Sequence, residues 1–281
     1  MRLIEQLQRL YCLPEQTGYV LSPGAAADGT RHRLSAADLE AGPAGDASIA
    51  LDLTSPDGRV KALVIEFARS AYWPQAAALC QGLTDDLELP APAVAVGGPA
   101  GYQLWLSLAE PLPLAMARAF LQTLRQKYLA EVPAAALRLY PGEGSDCPRL
   151  PPAALDNSGW TAFIDPTMGA MFADETWLPM APNADKQADM LATLSSIKTA
   201  DFQRAMAQLQ AELAAASTDD HAPSTEPATA ASDAKPGLHL GGDFSDPKDF
   251  LLALMNDAGA SPEQRIEAAK ALLPYFHAAK S

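Results

Sequence analysis

One order of elements constrains the fold of this chain more than any other feature. Between residues 59 and 140 the apolar pattern changes repeatedly between the two-residue period of strands and the 3.6-residue period of helices. The predicted elements are strand Arg59–Phe67, helix Trp73–Leu83, strands Ala93–Val96 and Tyr102–Leu108, a helix from Pro113 to about Leu129, and strand Leu137–Tyr140. This β-α-β-β-α-β order favours one antiparallel or mixed sheet with helices on one face, an α+β fold connected like an RNA-recognition motif.

Further elements flank this unit on both sides. The predicted ones are a helix over residues 1–12, a short helix at Ser35–Glu40, strand Ser48–Leu53, strand Trp160–Ile164, and helices Asp185–Ile197 and Ala200–Ala216. The turn signal Ser55-Pro56-Asp57-Gly58 separates strand Ser48–Leu53 from strand Arg59–Phe67, so the sequence predicts a β-hairpin there.

The composition divides the chain into three parts. Residues 1–216 form the α+β domain, and residues 217–241, dominated by small and polar types, are predicted to be a flexible linker. Residues 242–281 are predicted to form a C-terminal helical hairpin, with helices Asp246–Asn256 and Pro262–Leu273. The apolar positions of this hairpin, within 246–276, either dock on a protein partner or pack against each other.

Charge and residue types exclude several classes of protein. The net charge is −14, and residues 1–216 hold 15 Lys and Arg against 24 Asp and Glu, so a nucleic-acid binder of this kind needs a local basic patch. Three cysteines and four histidines are scattered without metal-site or disulfide spacing. No run of about 18 apolar residues indicates a membrane span, so we expect no membrane partner and a cytoplasmic location.

Four local motifs carry a family resemblance. They are Gly18-Tyr19 with the segment Leu34–Leu53, then Ala62-Leu63-Val64-Ile65-Glu66-Phe67-Ala68, then Gly98-Pro99-Ala100-Gly101-Tyr102-Gln103-Leu104-Trp105 with Glu110-Pro111-Leu112-Pro113, and finally Arg149-Leu150-Pro151 with Phe163-Ile164-Asp165-Pro166. In this order and spacing, residues 18–197 resemble the primase domain of the archaeo-eukaryotic primase superfamily, especially the TOTE conflict-system type of bacteria and mobile elements. The resemblance implies a nucleotidyl-transferase palm.

The chain departs from that family at its chemical groups. The resemblance implies two carboxylates on the first strand that hold divalent ions, which demand oxygen ligands. Here Glu66 stands at the first of these positions and Ala68, which cannot ligate, at the second. The nucleotide-contacting histidine of the next strand is replaced by Gln103. Glu66 and Gln103 are therefore vestigial catalytic positions, and Glu66 alone is an incomplete metal site.

Other positions remain open between two interpretations. A later family histidine is Leu155, and the third carboxylate would be Glu143 or Asp146. Arg149 and Tyr102 are candidates for nucleotide or nucleic-acid binding; the alternatives are a surface salt bridge for Arg149 and an ordinary sheet position for Tyr102.

Glu66 could equally be a charged residue at a strand end, solvated or paired with an arginine such as Arg69. That alternative needs no metal ion.

Three functional hypotheses follow from the resemblance and its departures. The first is a catalytically degenerate primase-like protein that serves as a nucleic-acid or protein interaction module in replication or defence, binding single-stranded DNA or RNA and needing no cofactor. The second is an active primase that uses Mg²⁺ or Mn²⁺ through displaced carboxylates, with Asp52, Asp57, Glu143 or Asp146 joining Glu66. The third is a non-enzymatic adaptor that docks through residues 246–276. The sequence leaves open whether the chain is an enzyme and favours the non-enzymatic hypotheses.

Overall fold

The computed structural model describes residues 2–21, 31–98, 101–144, 146–155 and 159–219 of the 281-residue chain. Two compact units are distinguished, Met1–Ala222 and Pro223–Ser281, and the described residues all belong to the first. The predicted C-terminal hairpin, residues 242–281, lies outside the described residues. So does the predicted linker, except for residues 217–219, which belong to the last turn of a helix.

The described residues form six α-helices and nine strands. The helices are α1 (Arg2–Tyr11), α2 (Ala36–Ala44), α3 (Trp73–Gln81), α4 (Leu114–Tyr128), α5 (Ala184–Ala192) and α6 (Thr199–Asp219). The strands are β1 (Thr17–Leu21), β2 (His32–Arg33), β3 (Ser48–Leu51), β4 (Arg59–Phe67), β5 (Ala93–Val96), β6 (Tyr102–Pro113), β7 (Leu137–Tyr140), β8 (Ala153–Ala154) and β9 (Trp160–Ile164).

The predicted β-α-β-β-α-β unit is confirmed as β4-α3-β5-β6-α4-β7. Its four strands lie in the order β7-β4-β6-β5, and β9 and β8 extend the sheet beyond β5 to six strands. Every pairing in this sheet is antiparallel. Placing the third strand of the unit between the first and second is the topology of the ferredoxin-like split β-α-β arrangement, so the α+β prediction holds.

The six-stranded sheet is covered on both faces. Side chains alternate along each strand, so Leu63, Ile65 and Phe67 of β4 point to one face and Ala62 and Val64 to the other. On the first face pack α3, α4 and α6, through core residues that include Leu79, Phe120 and Phe202. The helices of the β-α-β-β-α-β unit thus lie on one face, as predicted.

The second face of the large sheet is covered by two helices whose packing there the sequence analysis did not predict. Helix α1 buries its leucine stripe there, and α5 packs beside it. Tyr11 of α1 lies against Trp105 of β6, with ring centroids 5.1 Å apart, and stacks over Phe163 of β9 at 6.1 Å. All three rings are at most 3% exposed, so this aromatic cluster belongs to the core on the second face.

The predicted hairpin between β3 and β4 is confirmed only next to its turn, where Thr54 and Val60 form an antiparallel bridge. Gly58 adopts a left-handed φ of 73°, and its N–H donates to the Ser55 carbonyl. Beyond this turn the two strands separate, because β3 joins a second, three-stranded sheet of order β2-β1-β3 while β4 joins the large one. The other edge of β3 is occupied by residues 148–150, which exchange backbone hydrogen bonds with Ile49 and Leu51.

Several boundaries differ from the prediction by a few residues, and the two largest differences are at α5 and β6. Helix α5 ends at Ala192 rather than Ile197, because Ile197 forms a parallel bridge with Leu108 and exchanges backbone hydrogen bonds with Ser107 and Ala109. Strand β6 continues to Pro113, five residues beyond the predicted end. None of the helices in the described part of the chain is long and apolar enough to cross a membrane.

Candidate nucleic-acid interface

The first candidate position, Glu66, lies in a row of polar side chains that crosses the second face of the large sheet. In the strand register Glu66 of β4 is directly opposite Gln103 of β6 on one side and Arg138 of β7 on the other. The Gln103 Nε2 group donates to Glu66 Oε2 at 2.9 Å, and Arg138 Nη1 donates to Glu66 Oε1 at 3.2 Å. Trp105 Nε1 in turn donates to Gln103 Oε1 at 3.0 Å. We call Arg138, Glu66, Gln103 and Trp105 the buried polar row.

Burial controls the electrostatics of this row. Glu66 is 3% exposed, and desolvation raises the pKa of its carboxyl. The hydrogen bond from Gln103 and the positive charges of Arg138 and Arg149 oppose that rise in pKa. The ion-pair alternative is therefore the arrangement present, with Arg138 as the partner instead of Arg69. Strand β7 runs alongside β4 and carries Arg138 to the carboxylate, whereas Arg69 follows the end of β4 and is exposed.

The donors around Glu66 do not fit a divalent ion in this arrangement. Each carboxylate oxygen already accepts an N–H group, and Ala68 offers no oxygen. Two of the carboxylates considered as replacements are engaged elsewhere, since Asp52 pairs with Arg31 and Asp57 accepts from Ser55. Within the described ranges, no group of three or more His, Cys, Asp or Glu side chains could hold a metal ion.

Tyr102 lies on the opposite face from Gln103, contrary to its expected nucleotide contact. Neighbouring residues of a strand point to opposite faces, so Tyr102 enters the core under α3, where it is fully buried. Its hydroxyl donates to the Gly169 carbonyl at 2.7 Å, and its ring centroid lies 4.9 Å from that of Trp73. Its ring is therefore not available to stack on a nucleotide in this structure.

A cleft opens between the two sheets, beside the exposed end of the buried polar row. It consists of two adjoining pockets of about 420 and 440 Å³ that share Tyr19, Tyr140, Asp146 and Cys147. Four arginines line this cleft: Arg31, Arg118, Arg138 and Arg149. The lining carboxylates are those of Asp52 and Asp146, so the lining is net positive in a chain that is strongly negative.

Arg149, the second candidate that sequence analysis selected for binding, lines this cleft. It follows Pro148 at the edge of β3, where it forms a bridge with Ala50. Its guanidinium makes no ion pair within 4.0 Å with a carboxylate of the described residues, yet it is near enough to Glu66 for its charge to lower the pKa of that carboxyl. The salt-bridge alternative for Arg149 is thus not what the structure shows among these residues.

Sequence reasoning missed several residues of the cleft, among them Arg138 and Tyr19. Arg138 could have been found from the β-α-β-β-α-β register, because the last strand of that unit pairs with the first and brings residue 138 opposite Glu66. Tyr19 was noted only as part of a motif, and the local sequence carries no signal that β1 would face β7 across a cleft. The cleft thus combines two outward arginines, Arg138 and Arg149, with the aromatic ring of Tyr19.

Comparison with known proteins adds little to this geometry. No protein-family model matches the chain, and no curated protein matches it. Among solved structures, the chain is similar to the crystal structure of primase RepB′, with 13% sequence identity and a TM-score of 0.33, covering 100% of this chain and 90% of that one.

Proposed function

We propose that this chain is a primase-like palm that binds single-stranded nucleic acid in the arginine-lined cleft and has lost nucleotidyl transfer. The observation that carries the proposal is the pairing of Glu66 with Arg138 in the buried polar row, beside an outward-facing Arg149. A carboxylate that would hold a metal ion in a catalytic palm is held here by an arginine instead.

Strand binding by the cleft depends on which cationic side chains line it and on how exposed they are. The Arg138 side chain is 64% exposed although its tip pairs with Glu66, so several of its five N–H donors remain accessible from the cleft. Arginine binds phosphate oxygens in a bidentate manner, and Arg149 faces the same pocket. The net charge of −14 repels a polyanion at long range, so binding should depend strongly on these local contacts and on salt.

The proposed loss of nucleotidyl transfer follows from the missing ligands for divalent ions. Two-metal phosphoryl transfer requires carboxylates that bridge hard cations to the phosphates of the incoming nucleotide. Ala68 supplies no side-chain ligand, and an ion that bound Glu66 would compete with the N–H groups of Gln103 and Arg138 for the carboxylate oxygens. Releasing those partners would leave the buried amide of Gln103 without its acceptor, which costs about 1–3 kcal/mol.

The biological setting belongs to the same proposal. The resemblance to TOTE conflict-system primases supports a role in the replication or defence functions of a bacterial genome or mobile element, in the cytoplasm. Docking on a protein partner through residues 246–276 would be compatible with strand binding by the cleft.

The test measures binding and nucleotide addition in the same preparation of the full chain. We expect a labelled single-stranded oligonucleotide to bind, and we expect no primer synthesis or extension with Mg²⁺ or Mn²⁺. The Glu66→Ala variant is the control for any residual addition. Robust addition that Glu66→Ala abolishes would show an active primase, and the absence of binding would exclude the strand-binding module.

A further inference from the structure

A second row of side chains, on the three-stranded sheet, faces the cleft from the other side. In the strand register Tyr19 of β1 is directly opposite Ala50 of β3, and Ala50 is bridged on its other side to Arg149. Directly opposed residues in antiparallel strands point to the same face. Tyr19, Ala50 and Arg149 therefore form one line across the small sheet, and all three line the same pocket.

The distance between the two ends of this line allows Tyr19 and Arg149 to contact the same ligand, one through an aromatic ring and the other through a phosphate-binding group. Neighbouring strands lie about 4.8 Å apart, so the backbone positions of Tyr19 and Arg149 are separated by about 10 Å. The residue between them is Ala50, which is 9% exposed and lines the pocket with a single methyl group. A larger side chain at residue 50 would occupy the floor of the pocket between the ring and the guanidinium.

Tyr19 differs in its surroundings from Tyr11 and Tyr102, two tyrosines of the sheet cores. Tyr11 and Tyr102 are almost fully buried, and each packs against other aromatic rings. Tyr19 is half-buried, and its ring pairs with no other aromatic ring among the described residues. A planar apolar face thus lies at the wall of a pocket that also contains two arginines.

The position of Tyr19 is fixed by close packing of its own strand. A Cβ on the preceding Gly18 would lie 2.6 Å from the Ala50 carbonyl oxygen and 2.9 Å from the Leu34 side chain. The absence of a side chain at residue 18 allows β1 to approach β3 this closely. This tight pairing holds Tyr19 in register with Ala50, so the ring is presented by a strand and not by a loop.

We propose that Tyr19 is a stacking platform for one unpaired base of a bound strand, with Arg149 holding a phosphate of the same strand. This inference rests on the proposed strand-binding function and adds that the site selects single strands over duplexes. Bases stack on aromatic rings without regard to sequence, because each base has a π-face, but the face of a base is free only outside a duplex. The site therefore selects single strands over duplexes and tolerates many sequences.

Stacking and phosphate contacts can be distinguished by how the binding constant depends on salt concentration. Stacking releases no counterions, whereas each phosphate contact on a single strand contributes about −0.7 to the slope of log K against log salt concentration. Tyr19→Ala should weaken binding about 5- to 150-fold and leave the slope unchanged. Tyr19→Phe keeps the ring and should bind like the parent chain. Arg149→Gln should weaken binding and reduce the slope by about 0.7.

The experiment measures fluorescence anisotropy of a labelled oligothymidylate with the full chain at several salt concentrations. A duplex of the same length is the competing ligand, and Arg125→Gln, a substitution on α4 outside the cleft lining, is the arginine control. The thermal unfolding midpoint of each variant shows that the fold is intact, and Tyr19→Leu, which keeps an apolar side chain without a ring, replaces Tyr19→Ala if that variant is unstable.

Loss of single-strand affinity in Tyr19→Leu or Tyr19→Ala, with retention in Tyr19→Phe, is the result expected. If the parent chain binds the strand and all three Tyr19 variants bind equally well, the stacking role is refuted while the strand-binding function stands. Equal affinity of the parent chain for duplex and single strand would also refute it. If the parent chain binds no single strand at all, both proposals fail together.

Discussion

Replacing Glu66 by glutamine tests whether this carboxylate is a buried partner of Arg138 or a group poised to bind a cation. The substitution preserves the shape of the side chain and removes its charge. The new amide oxygen can still accept from Gln103 Nε2, as the carboxylate does at 2.9 Å. The new NH₂ group then faces Arg138, whose largely exposed guanidinium can turn to water.

The magnitudes predict a small effect for glutamine and a larger one for alanine. Pairing with a partner as exposed as Arg138 stabilises by about 0–1 kcal/mol, and removing the buried charge relieves its desolvation. Glu66→Gln should therefore change the free energy of unfolding at neutral pH by less than about 1 kcal/mol. Glu66→Ala leaves Gln103 Nε2 without an acceptor, at about 1–3 kcal/mol, and removes a buried methylene worth about 0.8 kcal/mol. Its expected cost is about 2–4 kcal/mol.

The dependence on pH gives the sharper result. Because burial raises the pKa of Glu66 above its ordinary value of 4.5, the folded chain binds this proton more tightly than the unfolded chain. The resulting stability is fully present below the unfolded pKa and is lost as pH rises through the folded pKa. Each unit by which the folded pKa exceeds the unfolded pKa is worth about 1.4 kcal/mol.

The assay is urea unfolding of the parent chain and Glu66→Gln at a series of pH values from about 4 to 7, with linear extrapolation to water. The stability of the parent chain minus that of the variant should fall as pH rises through this window. Glu131→Gln, which removes one carboxylate at an exposed position, is the matched control. A difference that increases with pH would mean that the folded state favours the ionised carboxylate, and the account of the buried polar row would be wrong.

Two further substitutions test the packing around the site. Tyr11 Oη is buried without a hydrogen-bond partner among the described residues. Tyr11→Phe should therefore raise the free energy of unfolding by about 1–2 kcal/mol in the same urea assay. A loss of stability in this variant would mean that the hydroxyl has a partner. Gly101 and Gly58 both have positive φ, at 71° and 73°, but a Cβ at Gly101 would lie 2.1 Å from the Phe67 carbonyl oxygen, whereas one at Gly58 would meet nothing within 4 Å. Gly58→Ala should therefore lower the free energy of unfolding only by the backbone strain, about 1–2 kcal/mol, and Gly101→Ala should lower it clearly more. Equal losses of stability in the two variants would contradict the close approach at the start of β6.

The sequence predicts the β-α-β-β-α-β unit well because its information is local. Helices α3 and α4 carry apolar stripes, and the strands between them are short apolar runs bounded by glycine and proline. The four-strand order then follows from connectivity, since only a few arrangements are compatible with short connections. Glu66 and Gln103 were selected through the family resemblance, and the structure places them directly opposite each other on adjacent strands.

The pairing of β3 could not be predicted in the same way. The Ser55–Gly58 turn is a strong hairpin signal, yet the backbone groups of β3 are satisfied by β1, about 30 residues earlier, and by residues 148–150, about 100 residues later. Such long-range pairings leave no periodic trace in either segment. The cleft depends on these pairings, so Tyr19 and its line with Arg149 became visible only in the structure.

The salt dependence of single-strand binding tests the central claim most directly. If Arg138 and Arg149 each neutralise one phosphate, log K for an oligothymidylate should fall linearly with log salt concentration with a slope of about −1.4, and Arg149→Gln should halve that slope. Arg125→Gln should leave it unchanged. Binding that is absent, that does not respond to salt, or that loses as much of its slope in Arg125→Gln as in Arg149→Gln would contradict the assignment of this cleft as a nucleic-acid interface.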